Sequence, residues 1–100
     1  MTRRGPTYSL ADLQRRAASG AYVVTRSAYA GAGLLGFDES DVLRCLLGMT
    51  PGDFYKTMES VERPGLWQDV YRPVYSGEEL YVKLQLSLVG RTVVISFKEL

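Results

Sequence analysis

The C-terminal stretch "LYVKLQLSLVGRTVVISFKEL" (80–100) predicts a β-hairpin. Apolar and polar side chains alternate on both sides of Gly90, which is the pattern of two antiparallel strands joined by a tight turn. A type II′ turn with Gly90 at its first central position predicts strands over 80–89 and 92–99. In that register Val89 lies opposite Thr92, and Lys83 lies opposite Lys98.

The predicted hairpin has one aliphatic face and one polar face. The aliphatic face, to be covered by helices, contains Val82, Leu84, Leu86, Leu88, Val93, Ile95 and Phe97. The polar face contains Tyr81, Lys83, Gln85, Ser87, Thr92, Val94, Ser96 and Lys98. Because like charges repel across a ladder, Lys83 and Lys98 are either splayed apart in solvent or held near an anion, and the residues leave both readings open.

Helical patterns fill the first half of the chain. Ser9 followed by Asp12 resembles a capping box, and Gly20 suits the position after a helix end, so a helix is predicted over about 10–19. A short β-branched strand at 23–24 then leads into a helix that begins near residue 25 or 27. In "DESDVLRCLLG" (38–48), Asp38 is the predicted N-cap, and 42, 43, 46 and 47 form the apolar stripe.

A fourth helix is predicted in "TPGDFYKTMESV" (50–61). Thr50 is its N-cap, followed by Pro51 at the first helical position and Asp53 at the third. In this helix Phe54, Met58 and Val61 point inward, and Lys56 lies on the opposite side.

A strand is predicted in "LWQDVYRPVY" (66–75), which is rich in aromatic and β-branched residues. By alternation, Gln68, Val70 and Arg72 share one face, and Trp67, Asp69 and Tyr71 share the other. Pro73 marks the end of this strand or an edge position, and "SGEE" (76–79) turns the chain.

Composition favours one globular domain over residues 1–100. Hydrophobic residues make up 46% and charged residues 23%, and the formal net charge is +1. We expect a cytoplasmic protein, because the chain shows neither an apolar membrane-spanning run nor a signal peptide. The lone cysteine, Cys45, excludes an intramolecular disulfide framework, and the chain has no histidine, so the usual zinc-ligand spacings are absent. We interpret Cys45 as a buried, inert thiol.

The strings "DFYK" (53–56), "WQDVYRP" (67–73), "YVK" (81–83) and "VISFKEL" (94–100), with "TRSA" (25–28), are similar in order and spacing to the MqsR family of bacterial type II toxins. That family belongs to the RelE-like messenger-RNA endoribonucleases. The resemblance implies an α+β fold, in which N-terminal helices pack on one face of a small antiparallel sheet and RNA meets the other face.

The resemblance also implies a function and partners. The expected activity is metal-independent, cofactor-free cleavage of single-stranded mRNA at GC-containing sites such as GCU, which inhibits translation and growth. The expected protein partner is a cognate MqsA-like antitoxin, with a zinc domain and a helix-turn-helix domain. The stretches "SVERPGLWQ" (60–68) and "PVYSGEEL" (73–80) depart from the family pattern, which leaves the antitoxin contacts and the RNA preference open.

By resemblance, the catalytic positions are Lys56, Gln68, Tyr81 and Lys98. RNA supplies its own nucleophile, the 2′-hydroxyl, so the protein has only to move protons and stabilise charge on the phosphate. Lys56 or Tyr81 is expected to take the 2′ proton. Lys98 would hold the phosphate or protonate the leaving oxygen, and Gln68 would orient the phosphate.

Three further residues are candidate RNA contacts. Lys83 and Arg72 would bind phosphate, and Tyr55 would either stack on a base or pack within the protein. Two other functions remain open from the residues: a non-catalytic RNA-binding or regulatory module of the same fold, and an interaction domain whose polar face is only solvated.

Overall fold

The computed structural model describes residues 5–100. The first half of the chain contains three helices, α1 (Leu10–Ala18), α2 (Arg26–Leu34) and α3 (Glu39–Gly48). The strands are β1 (Tyr22–Val24), β2 (Phe54–Glu59), β3 (Trp67–Tyr71), β4 (Val74–Tyr75), β5 (Glu78–Leu86) and β6 (Thr92–Glu99). A single 3-10 turn, Pro51–Asp53, precedes β2.

The strands form one mixed sheet in the order β1-β6-β5-β3-β2, and β4 pairs with β5. The α+β class is confirmed, and the sheet is antiparallel as expected except at one edge, where β1 runs parallel to β6. Helices α2 and α3 and strands β2 to β5 lie between β1 and β6 in the chain, so no hairpin turn joins these two strands and their directions are free to be parallel.

The helices cover one face of the sheet, and the hydrophobic core lies between the helices and the sheet. From the helices it contains Leu13, Ala17, Ala28, Ala32, Val42 and Leu46, and from the strands Tyr71, Leu80, Val82, Leu84, Val94 and Phe97. Helix α2 approaches β6 very closely: a Cβ built on Gly31 would lie 2.0 Å from the backbone oxygen of Phe97. Among residues 5–100, no helix covers the centre of the opposite face of the sheet, and this face is called the open face below.

The first three predicted helices are confirmed. Ser9 caps α1 by accepting a hydrogen bond from the amide of Asp12, and Thr25 caps α2 in the same way. Asp38 and Asp41 form the capping box of α3. Cys45 is buried in the core, and burial raises the pKa of its thiol to about 12. Leu47, predicted to be buried, is exposed instead.

The predicted helix at 50–61 is wrong. Thr50 and Asp53 do make a capping box, but it closes only one 3-10 turn, and the chain then continues as β2. Strand β2 is held by pairing with β3, a tertiary contact that local helix signals do not report. Val61, predicted to point inward, is 91% exposed.

The predicted hairpin register is also wrong. The strands are joined not by a two-residue turn but by a loop over 87–91, in which the amide of Gly90 donates to Ser87 O at 3.1 Å and Gly90 has φ +79°. This is a type I turn followed by a left-handed glycine. Lys83 therefore pairs with Ser96, and Tyr81 pairs with Lys98.

A β-bulge in β6 changes which residues face the core. The register shifts where Lys83 pairs with Ser96 and Leu84 pairs with Val94, so that Ile95 is the extra residue. Val94 and Thr92 are buried in place of Val93 and Ile95, which are half-buried. Leu88, assigned to the aliphatic face, lies at the loop tip and is fully exposed.

Candidate active site

A row of residues crosses four strands at the centre of the open face. In register, Lys56 pairs with Val70, Val70 with Lys83, and Lys83 with Ser96. Val70 alternates with the core residue Tyr71 and therefore faces the lysines, yet it is completely buried. The alkyl stems of the flanking lysines are suited to cover Val70 while their ammonium groups remain at the surface.

A second row places a phenol among these amines. Tyr81 lies two residues before Lys83 on β5, so both side chains face the same way, and its partner across the ladder is Lys98. The Tyr81 ring lies 5.0 Å from Lys98 Nζ and 5.8 Å from Lys83 Nζ, measured to the ring centroid. A cation within about 6 Å of an aromatic face is attracted by it, so the Tyr81 ring attracts both ammonium groups.

Tyr55 and Arg72 extend the open face at the β2 edge. The register of β2 shifts between Phe54 and Lys56, and the bulge at Tyr55 turns that side chain to the same side as Lys56. Arg72 stacks on the Tyr55 ring at 4.0 Å, and Lys56 Nζ lies 5.4 Å from the same ring. Tyr55 remains about half exposed, so it is not a packed core residue.

Two glutamines occupy the row on the other side of the lysines. Gln68 Nε2 donates to Gln85 Oε1 at 3.1 Å, across β3 and β5. Gln68 is largely buried, with 8% of its surface exposed, and Gln85 is half-buried. The bond fixes the orientation of both amides, and each keeps further hydrogen-bonding atoms for other partners.

The environment shifts two pKa values in this group. Burial lowers the pKa of Lys83, and the charges of Lys98 and Lys56 lower it further. Burial raises the pKa of Tyr81, and the neighbouring Tyr55 adds to that rise. Lys83 therefore loses its proton more readily than an ordinary lysine, whereas Tyr81 keeps its proton more firmly than an ordinary tyrosine.

The open face thus brings together every residue that the sequence analysis assigned to the site: Tyr55, Lys56, Gln68, Arg72, Tyr81, Lys83 and Lys98. Lys56 reaches it from a strand and not from the predicted helix, and Lys98 faces Tyr81 and not Lys83. Gln85 was placed on the polar face but not assigned to the site. Its position two residues after Lys83 was the signal that could have found it.

Three lysines, an arginine and two phenols on one surface suit an anionic substrate, and the phenols and amines can also exchange protons. Within residues 5–100, no three His, Cys, Asp or Glu side chains are grouped so as to hold a metal ion. The helices of the described region are all too short or too polar to cross a membrane. A three-helix layer on a small sheet, with this open face, is the architecture of a RelE-like α+β toxin.

Comparison with known proteins defines the family. Residues 5–99 match the family model described as "Motility quorum-sensing regulator, toxin of MqsA", and the chain belongs to that family. It is also 32% identical to the mRNA interferase toxin MqsR of Escherichia coli (strain K12), over 99% of each chain. The resemblance of the short motifs to the MqsR family is thereby confirmed over nearly the whole length.

Proposed function

We propose that this protein is the toxin of a type II toxin-antitoxin system, an endoribonuclease that cleaves mRNA on its open face. The observation that carries the proposal is the convergence of Lys56, Lys83, Lys98 and Tyr81 on the open face of the sheet. Family membership and the full-length similarity to an mRNA interferase toxin support it. We further propose a cytoplasmic location and cleavage at GC-containing sites such as GCU.

The same family membership supports a protein partner. The matching model describes a toxin of MqsA, so we propose an MqsA-like antitoxin with a zinc domain and a helix-turn-helix domain. Co-expression of the chain with such an antitoxin is expected to relieve growth arrest. Continued arrest, with both proteins made at comparable levels, would contradict this pairing.

The chemistry starts at the substrate, since the 2′-hydroxyl of RNA lies next to the phosphate it attacks. Its oxygen forms a bond to phosphorus as the bond to the 5′-oxygen of the next nucleotide breaks. The products are a 2′,3′-cyclic phosphate and a 5′-hydroxyl. The protein must accept one proton from the 2′-hydroxyl, give one to the 5′-oxygen, and stabilise the charge that grows on the phosphate oxygens.

We propose that the 2′ proton is accepted by one of the two lysines that flank Val70, Lys56 and Lys83, which are called the lysine row. An unperturbed lysine titrates near pH 10.4, too high to be neutral at pH 7, and the pKa of Lys83 is lowered by burial and by its neighbours Lys98 and Lys56. We assign the 2′ proton to Lys56, which lies in the same row as Lys83 on the other side of Val70.

Tyr81 is better suited to give a proton than to take one. Its pKa is raised, so the phenol is protonated at neutral pH and can donate to the leaving 5′-oxygen. Lys98, 5.0 Å from the Tyr81 ring centroid, supplies positive charge to the phosphate oxygens. The second N–H of Gln68 Nε2 donates a hydrogen bond that orients the phosphate group, and Arg72, Lys83 and Tyr55 bind the flanking backbone and a base.

The test uses purified wild type and the variants Lys56→Ala, Lys56→Arg, Lys98→Ala and Lys98→Arg, incubated with RNA in excess EDTA. Arginine keeps the positive charge but cannot lose its proton. Lys98→Arg is therefore expected to retain most of the activity lost in Lys98→Ala, whereas Lys56→Arg is expected to be about as inactive as Lys56→Ala, with losses of about 100-fold or more. Full activity in both alanine variants, or a wild type that requires a divalent metal, would refute the mechanism.

A further inference from the structure

A cleft opens on the open face directly beside the glutamine pair. Its volume is about 370 Å³, within the roughly 300–1,000 Å³ typical of small-ligand pockets. The start of α2, the β2–β3 loop and the sheet line it, with the residues Thr25, Ser27, Ser60, Glu62, Arg63, Leu66, Gln68, Gln85 and Ile95. The cleft therefore joins the candidate active site through Gln68.

The floor of the cleft carries an oriented donor and acceptor. Because Gln68 Nε2 donates to Gln85 Oε1, Gln85 still has its amide N–H groups and Gln68 still has its carbonyl oxygen. An adjacent donor and acceptor complement the edge of a nucleobase, where a donor and an acceptor also stand side by side. Single-stranded RNA exposes these edges to proteins, which duplex RNA does not.

The walls suit the two faces of a base. Arg63 and Leu66 come from the β2–β3 loop, and Ile95 comes from the bulge in β6. A guanidinium plane and apolar side chains are surfaces on which unstacked bases pack in single-stranded RNA complexes. A second cleft of about 550 Å³, lined in part by Leu88 and Val89, shares Arg63, Leu66 and Gln85 with the first. The groove thus continues away from the lysines.

The cleft and the lysine row lie close together along β5. Gln85 follows Lys83 by two residues on the same face of β5, about 6.6 Å along the strand. A nucleotide chain whose phosphate lies on the lysines can therefore place a base in the cleft without leaving the open face. We propose that the cleft binds the base of a nucleotide next to the scissile phosphate, and that Gln85 determines which base is accepted.

This inference rests on the proposed function and deepens it by naming a specificity-determining residue. It is tested with the Gln85→Leu variant, which keeps a side chain of similar size but removes the amide. The specificity constant kcat/KM is measured on a short RNA that contains the preferred site and on versions with each flanking base replaced in turn. At one flanking position, the ratio between the preferred and the disfavoured bases is expected to fall about tenfold or more in Gln85→Leu.

Two comparisons separate base reading from other roles. Lys98→Ala is expected to lower cleavage at every site while leaving the order of preferred bases unchanged, because a phosphate contact carries no sequence information. Gln85→Glu replaces the amide donor by an acceptor, so it is expected to change which base is favoured at the same position. Thermal unfolding of both Gln85 variants confirms that they are folded.

The outcomes are distinct for the two proposals. If wild type cleaves RNA and both folded Gln85 variants keep the wild-type preference, the specificity role is overturned and the proposed function stands. A uniform loss of cleavage at all sites in Gln85→Leu likewise contradicts base reading. If wild type cleaves no RNA, the proposed function fails, and the inference fails with it.

Discussion

The replacement of Gly31 by alanine tests the packing that positions β6. Gly31 lies in α2, and a Cβ there would meet the backbone oxygen of Phe97 at 2.0 Å, its carbonyl carbon at 3.1 Å and Lys98 Cβ at 3.3 Å. A strand carbonyl cannot rotate away as a side chain can, so α2 and β6 would have to separate by about 1 Å in a close-packed interior. The same movement would displace Lys98 from Tyr81.

The expected change in the free energy of unfolding of Gly31→Ala is the difference between two opposing effects. Alanine favours a helix over glycine by about 1 kcal/mol, whereas overpacking a core typically costs about 1–3 kcal/mol and sometimes more. Because the clash involves backbone, we take about 3 kcal/mol, which leaves a net loss of about 2 kcal/mol in the free energy of unfolding. For a domain of this size each kcal/mol corresponds to about 4–8 °C, so Tm is expected to fall by about 8–16 °C.

Gly33 provides the matched control in the same helix. A Cβ at Gly33 would have no atom within 4 Å, so Gly33→Ala is expected to gain up to about 1 kcal/mol and to raise Tm by a few degrees. The assay is thermal and urea unfolding of wild type and both variants, followed by circular dichroism. A Gly31→Ala variant as stable as wild type, or more stable, would refute the close approach of α2 to β6.

Two further predictions concern buried and capping carboxylates. Asp69 is fully buried and accepts hydrogen bonds from the backbone amides of Thr7 and Tyr8, both at 2.9 Å. Asp69→Asn is therefore expected to lower the free energy of unfolding by about 1–3 kcal/mol, measured by urea titration. An unchanged urea midpoint would contradict this anchoring of the N-terminal segment. The pKa of Asp41 is lowered to about 2 by the backbone amide of Asp38, the Tyr75 hydroxyl and the Arg44 guanidinium. Its folded pKa lies below that of the unfolded chain, so its contribution is present above about pH 4 and is lost as pH falls toward 2. The stability difference between wild type and Asp41→Asn is expected to shrink over that interval, and a constant difference would contradict the assignment.

Local signals predicted α1 and α3 from their caps, whereas α2 was predicted only to begin near residue 25 or 27 and its cap, Thr25, is seen in the structure. Ser9, Thr25 and Asp38 each accept a hydrogen bond from a backbone amide three residues later, which is information contained within one turn. The same logic failed at Thr50, where a genuine capping box with Asp53 precedes a strand. Pairing with β3 outweighs local propensity there, and sequence alone does not reveal that partner.

The hairpin shows how a correct element can carry a wrong register. Both strands were predicted, but the loop is longer than the expected two residues, and the bulge at Ile95 shifts one strand once more. The predicted Lys83–Lys98 opposition is therefore replaced by the Tyr81–Lys98 pair. Tyr81 and Lys98 still share the open face, because the loop moves the register by three residues and the bulge moves it back by one, a net shift of two that preserves the face.

In the proposed mechanism, amines and a phenol on the open face cleave RNA through its own 2′-hydroxyl. The most direct measurement compares a defined RNA oligonucleotide with a copy that carries a single 2′-deoxy nucleotide just before the cut, using wild-type protein and mass spectrometry of the products. We expect cleavage of the first RNA to leave a 2′,3′-cyclic phosphate and a 5′-hydroxyl, and no cleavage of the second at that bond. Equal cleavage of both, or products with a 5′-phosphate, would contradict this account.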